Sequence, residues 1–256
     1  MHGETGRRRS RRARPLAMAL AFGSMLALLV PTTGPAAAAD DDGPASSTPA
    51  SSTPASSTPA VPQTSCRAVA HIGDSISVGM NSSAYIPDRA SRIGGQYERI
   101  GVQDVELDIS GARSIVEHLD GQLGGEAAAR KLRRQGFEGC WVIALGTNDA
   151  ANVAVGSGYG YSERIDRMMA IIGDDPVLWV DVKTLRERGP YAAENMRRWN
   201  TALAKAHARY PALRVFDWSL VAADRWFLPD GIHYSAEGYA YRAALIAGAL
   251  AETFPA

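Results

Sequence analysis

Short apolar segments, each followed by a polar turn and then a helical segment, recur along this chain, and they restrict its fold more than any other feature. "AVAHIGDS" (residues 68–75) and "CWVIALGTND" (residues 140–149) show the unit. Apolar, often β-branched residues suit strands buried on both faces, and the segments between them carry helical periodicity. Strands are expected at residues 69–72, 105–109, 141–145, 177–182 and 213–216, and helices at 126–134, 162–172, 192–210 and 236–252. Pro211 supplies a stop for the third of these helices. Strands alternating with helices predict an α/β fold, a mainly parallel five-stranded sheet covered on both faces.

That architecture gives distant segments one destination, because chemistry in open α/β sheets gathers beyond the carboxyl ends of the strands. "GDSIS", "SGARS" and "GTNDA" each follow an expected strand, and "DWSLVAADRWFLPDGIH" follows the last one. Four loops are thereby aimed at a single cleft.

The first 64 residues read differently. A cluster of arginines precedes an apolar run at residues 16–30, and small residues follow it, as in a secretory signal peptide spanning 1–39 and cut between Ala39 and Asp40. The alternative is a retained anchor, but the run is short against the roughly 20 residues that cross a bilayer. Residues 40–64 contain PASST three times over. Such a segment has little to bury and its prolines oppose regular structure, so a solvated linker is expected. Six arginines and one glutamate lie within 1–39, leaving 21 basic against 26 acidic side chains, a formal charge of −5. This argues against a nucleic-acid partner. Residues 65–256 are enough for one domain with one substantial core. Export permits a disulfide between the two cysteines, Cys66 and Cys140. Each immediately precedes an apolar run, so neighbouring parallel strands would bring both sulfurs to the same sheet end, opposite the polar loops. Two separate buried thiols are the alternative.

Of the five histidines, His2 leaves with the leader, His71 lies inside a strand, His118 in a charged segment and His207 on a helix. His233 differs: it follows Pro229 and Gly231 in an irregular turn, three residues after Asp230, with a merely solvent-exposed turn as the plain alternative. A carboxylate at that spacing can orient an imidazole, and the imidazole can take the proton of a serine that attacks a carbonyl. Ser75 is the candidate nucleophile. Its plain alternative is the cap of the helix that follows. The tetrahedral intermediate then needs donors where its negative charge develops. The Ser75 backbone N–H, the Gly111 backbone N–H and the Asn148 side-chain amide are the candidates, although a loop glycine or asparagine often serves only a turn. The scheme calls for no metal and no cofactor.

With these blocks in order, the sequence resembles the SGNH hydrolases, also called GDSL-like esterases and lipases. Gly73, Asp74 and Ser75 match the nucleophile block, Gly111 the glycine block, Gly146, Asn148 and Asp149 the GxND block, and Asp230 and His233 the DxxH block. Ile76 stands where the literal GDSL signature has leucine. The resemblance implies a flavodoxin-like three-layer α/β/α sandwich. It also implies Ser75, His233 and Asp230 as nucleophile, base and orienting acid, with an oxyanion hole from Ser75, Gly111 and Asn148.

Substrate is less legible. Tyr159, Tyr161, Trp218, Trp226 and Phe227 lie on loops near the expected cleft, as pocket walls or as packing. No long apolar loop advertises a lipid tunnel, which favours small acyl esters or acetylated carbohydrate. The expected protein is a secreted, envelope-associated, monomeric serine esterase. The alternatives are an envelope carbohydrate O-acetyltransferase and an inactive carbohydrate-binding module.

Overall fold

The computed structural model describes residues 61–256. The leader and most of the linker expected from the sequence lie outside the described residues. Five strands, β1 (Ala68–Gly73), β2 (Asp104–Ile109), β3 (Cys140–Ala144), β4 (Val177–Val180) and β5 (Leu213–Phe216), form one all-parallel sheet in the order β2-β1-β3-β4-β5. Alternate side chains enter two separate cores. Val69, Val142 and Leu178 pack on one face, against α1 (Ser75–Asn81), α2 (Ile93–Arg99) and α8 (Ala236–Thr253). Ala70, Trp141 and Trp179 pack on the other, against α3 (Gly125–Arg134), α5 (Tyr161–Ile172) and α6 (Ala193–His207). This is the three-layer α/β/α sandwich that the sequence predicts.

Two helices lie where the sequence reading had only turns or loops, α4 (Thr147–Ala154) and α7 (Trp218–Val221), while α1 is the helix weighed there as following Ser75. Each opens directly beyond a strand and is too short to show an apolar stripe of its own. A third unforeseen helix, α2, carries two glycines that weaken its helical signature. Helix α6 ends at His207, three residues before the expected end, and the His207 ring bonds to the Leu213 carbonyl at 2.6 Å.

Helices leave β1 and β3, which are adjacent, toward opposite faces of the sheet. The crevice between their carboxyl ends is the switch point where this class of sheet binds ligands. At the opposite edge, Cys66 and Cys140 form a disulfide. Thr64, Ser65 and Ala256 are also there, with Ser65 N–H donating to the Phe254 carbonyl at 2.9 Å.

The disulfide closes a separation of 74 residues. A Cys66→Ser/Cys140→Ser double variant is expected to lose about 4 kcal/mol of stability through the unfolded chain's restored freedom. Turnover at 25 °C should be unchanged, because the bridge and the cleft occupy opposite edges. Denaturant unfolding and a turnover assay read the two quantities separately, and a loss of turnover in the folded variant would contradict this placement.

Candidate active site

The turn after β1 is built by Asp74. Its Oδ1 accepts the Ile76 N–H at 2.9 Å and caps α1. Capping therefore falls to Asp74, and Ser75, the first residue of the helix, keeps its hydroxyl free for another partner. That partner is His233, whose Nε2 lies 2.9 Å from Ser75 Oγ. His233 Nδ1 lies 2.8 Å from Asp230 Oδ2, while Asp230 Oδ1 accepts the backbone N–H groups of Ile232 and His233 at 2.8 and 3.0 Å. Residues separated by 158 positions are thus joined in one chain of hydrogen bonds.

The turn that carries Asp230 and His233 is pinned at both ends. Leu228 N–H donates to the His233 carbonyl at 2.8 Å, and Ser235 N–H to Trp226 at 2.8 Å. Gly231 adopts φ 67, a conformation that L side chains rarely take, so the sharp turn calls for glycine there. Beside His233, Tyr234 is fully buried and its hydroxyl accepts from the Trp218 indole at 2.7 Å. Burial raises the Asp230 carboxyl, but the His233 hydrogen bond and the two N–H groups outweigh it and hold the group below the usual carboxylate range. Asp230 is therefore an anion facing Nδ1, which favours the tautomer with a proton on Nδ1 and a free Nε2.

The third group is Asn148, in the first turn of α4. Gly146, just before it, has φ 146, and a Cβ there would meet the Trp199 indole at 2.2 Å, so only glycine allows this entry to the helix. Asn148 Nδ2 donates to the Arg113 carbonyl at 3.0 Å and has only a long contact, 3.5 Å, with Asp74 Oδ2. Its Oδ1 accepts from the Tyr191 hydroxyl at 3.0 Å. Asp74 is buried, and burial pushes its carboxyl up to about 6 against the opposing Ile76 N–H and the charges of Arg242 and His233.

Gly111 lies in the turn after β2, seated beside the nucleophile turn by the Ser110 N–H bond to the Gly73 carbonyl at 3.1 Å. A Cβ at Gly111 would meet nothing within 4 Å, so the missing side chain leaves open space rather than packing room.

Behind these groups is a polar network that the sequence reading did not find. The fully buried Arg164 bonds Asp149 Oδ1 at 2.9 Å, Glu117 through both of its carboxylate oxygens, and Ser157 at 2.7 Å. Asp149 Oδ1 also accepts the Ile115 N–H at 2.9 Å, and Asn152 donates to Glu117 at 2.9 Å. The loop after β2, which carries Gly111 and Arg113, is in this way locked to α4 and α5. Burial raises the Glu117 carboxyl, yet the Arg164 and Ser157 hydrogen bonds bring it well below its ordinary value.

The other histidines stay outside this constellation. His71 is buried between Tyr97 and Ser77, and burial lowers it to about 3. His118 is exposed. Of the proposed wall residues, Trp218 and Trp226 are core: they stack on each other with centroids 5.9 Å apart and are 0% and 6% exposed. Tyr161 packs edge-on to Trp199, and the stretch after Asn148, expected as loop, is helical to Ala154.

Residues 71–241 match the GDSL-like Lipase/Acylhydrolase family over two thirds of the chain. The chain belongs to that family. With it comes the SGNH hydrolase superfamily and a hydrolase of esterase type. No curated protein sequence matches the chain. Among solved structures, it is similar to the carbohydrate acetylesterase Est24 from Sinorhizobium meliloti, with TM-score 0.56 and 19% identity over 73% of this chain and 100% of that one. It is also similar to the lipase/acylhydrolase from Enterococcus faecalis, with TM-score 0.54 and 18% identity over 73% and 97%. A third is the catalytic domain of peptidoglycan O-acetyltransferase A from Streptococcus pneumoniae, with TM-score 0.52 and 14% identity over 73% and 94%. At these identities the likeness is one of fold.

Arg164→Met is expected to lower stability by about 3–5 kcal/mol, because it leaves a buried carboxylate without its counter-charge. Urea unfolding reads the effect, and a wild-type midpoint would mean that the network contributes nothing to the fold.

Proposed function

We propose that this GDSL-family protein is a secreted serine carboxylic-ester hydrolase acting on short-acyl or acetyl esters, acetylated carbohydrate among them. The observation that carries the reading is the continuous chain from Ser75 Oγ through the His233 ring to Asp230, with spacings of 2.9 and 2.8 Å. Ser75 attacks the ester carbonyl as His233 Nε2 takes its proton. Asp230 holds the imidazole in its useful tautomer and stabilises the imidazolium that results. The negative charge on the former carbonyl oxygen is met by the backbone N–H of Ser75, the backbone N–H of Gly111 and Nδ2 of Asn148, whose second hydrogen has only the long Asp74 contact in the free protein. Collapse of the intermediate transfers the Nε2 proton to the leaving alcohol and leaves an acyl group on Ser75. Water, deprotonated by the same nitrogen, then releases the acid.

A small acyl group is favoured by the exposure of the dyad. The side chains of His233 and Asp230 are 34% and 46% exposed, so they lie at the surface of the cleft. Trp218 and Trp226, the aromatics best placed in sequence to wall an acyl channel, belong to the core. Export is supported by the leader-like residues 1–39 and by the Cys66–Cys140 bridge, since disulfides persist in oxidising compartments. Ser75, Gly111, Asn148, Asp230 and His233 all come from one chain, in keeping with a monomer. Among the described residues no helix is long and apolar enough to cross a membrane.

Ser75→Ala is expected to lose roughly a thousandfold or more of acetyl-ester turnover and to escape labelling by a serine-directed phosphonate, with the fold intact. Asp230→Asn is a sharper test. Its remaining oxygen still accepts the Ile232 and His233 N–H groups, but its new amide faces Nδ1 as a donor and forces the proton onto Nε2. Turnover should fall about 10³–10⁴-fold without unfolding. A folded wild type that resists the phosphonate and hydrolyses no ester would overturn the reading. Adding a sugar acceptor to the assay separates hydrolysis from transfer: acetate alone marks an esterase, and an acetylated sugar a transferase.

A further inference from the structure

The loop between β4 and α6, residues 181–192, touches both halves of the candidate site. Toward one half, Leu185 N–H donates to the Gly231 carbonyl at 2.8 Å, against the turn that carries Asp230 and His233. Toward the other, the Tyr191 hydroxyl donates to Asn148 Oδ1 at 3.0 Å. The loop is braced internally. Thr184 Oγ1 donates to the Tyr191 carbonyl at 2.7 Å, and Ala193 N–H to Arg186 at 2.7 Å. Tyr191 itself is half-buried, with its ring fixed by these backbone ties.

We propose that Tyr191 is the positioning residue of the oxyanion-binding amide, holding Asn148 with Nδ2 toward Ser75 and strengthening that group as a donor. The inference rests on the esterase reading of the site. Only Oδ1 can accept from a phenol hydroxyl that donates. A flipped Asn148 would instead set Oδ1 against the Arg113 carbonyl and Asp74 Oδ2, two further acceptors. The Tyr191 bond therefore joins the Arg113 carbonyl in selecting the orientation in which one amide hydrogen is held by Arg113 and the other, with only the long Asp74 contact, is left for the substrate oxygen. It also draws electron density toward Oδ1 and makes the Nδ2 hydrogens better donors, as linked hydrogen bonds do around a buried amide such as Asn148. The effect grows as negative charge develops on the substrate oxygen, so it acts on the transition state more than on bound ester. Burial, and then the Asp74 charge, raise the Tyr191 hydroxyl above its ordinary value, so it keeps its proton across the working range.

The test is a double-mutant cycle on p-nitrophenyl acetate with wild type, Tyr191→Phe, Asn148→Ala and the double variant, with Ser75→Ala as the inactive control. Phenylalanine fills the same space, so the melting temperature should hold. Tyr191→Phe is expected to lower kcat about tenfold with KM within about twofold, and to slow phosphonate inactivation in parallel. In the Asn148→Ala background the same change should cost less than about twofold. Wild-type kcat in Tyr191→Phe, or an equal loss with and without the Asn148 amide, would overturn the proposal. An active wild type and a dead Ser75→Ala variant would leave the esterase reading standing in either case.

Discussion

Five strands running the same way send every following loop to one edge, and the candidate site depends on that constraint. Ser75 follows β1, Gly111 follows β2, Asn148 follows β3, the Tyr191 loop follows β4, and His233 lies on the connection after β5. Because β1 lies between β2 and β3, the serine turn is flanked by the glycine turn on one side and the asparagine helix on the other. The histidine arrives from farther along the sheet, on a turn closed by Leu228 and Ser235. Parallel pairing makes the convergence; the side chains add chemistry to a place that topology has already made.

Holding so many loops still requires polar groups in the interior, and buried polar groups are costly unless they are paired. Arg164 answers this with one guanidinium shared among Asp149, Glu117 and Ser157. Asp74 does so with one oxygen on the helix cap, the other having only the long Asn148 contact. Arg242, buried over the Trp218 ring at 4.5 Å, has Nε and Nη1 without partners, and its charge still reaches Asp74. These groups touch no reacting atom in the proposed mechanism. They fix where the reacting atoms are.

Much of this was legible in the sequence because it follows from local pattern. Runs such as "AVAHIG" and "VLWV" can be little other than buried strands, and the glycine that closes the first marks a turn. The Asp230–His233 spacing was readable because a three-residue turn alone brings the two side chains together. The short helices α4 and α7 were not readable: each is held by its neighbours rather than by a stripe of its own. Trp218 and Trp226 could be read as cleft walls or as packing because their chain position is near His233, and their stacking in the core decides for packing. Tyr191 gave no signal, since it meets Asn148 from 43 residues away and follows an exposed stretch, residues 185–190.

The sequence by itself determined a mainly parallel sheet, the family, and the short-range pairing of Asp230 with His233, because buried-strand periodicity and tight-turn spacing are properties of neighbouring residues. Only the tertiary structure decided that Asp74 and not Ser75 caps α1, that Arg164 locks the Gly111 loop, and that Tyr191 faces the Asn148 amide. Those outcomes are contests between groups far apart in the chain for the same few hydrogen bonds, and they are resolved only once the sheet has brought the groups within reach.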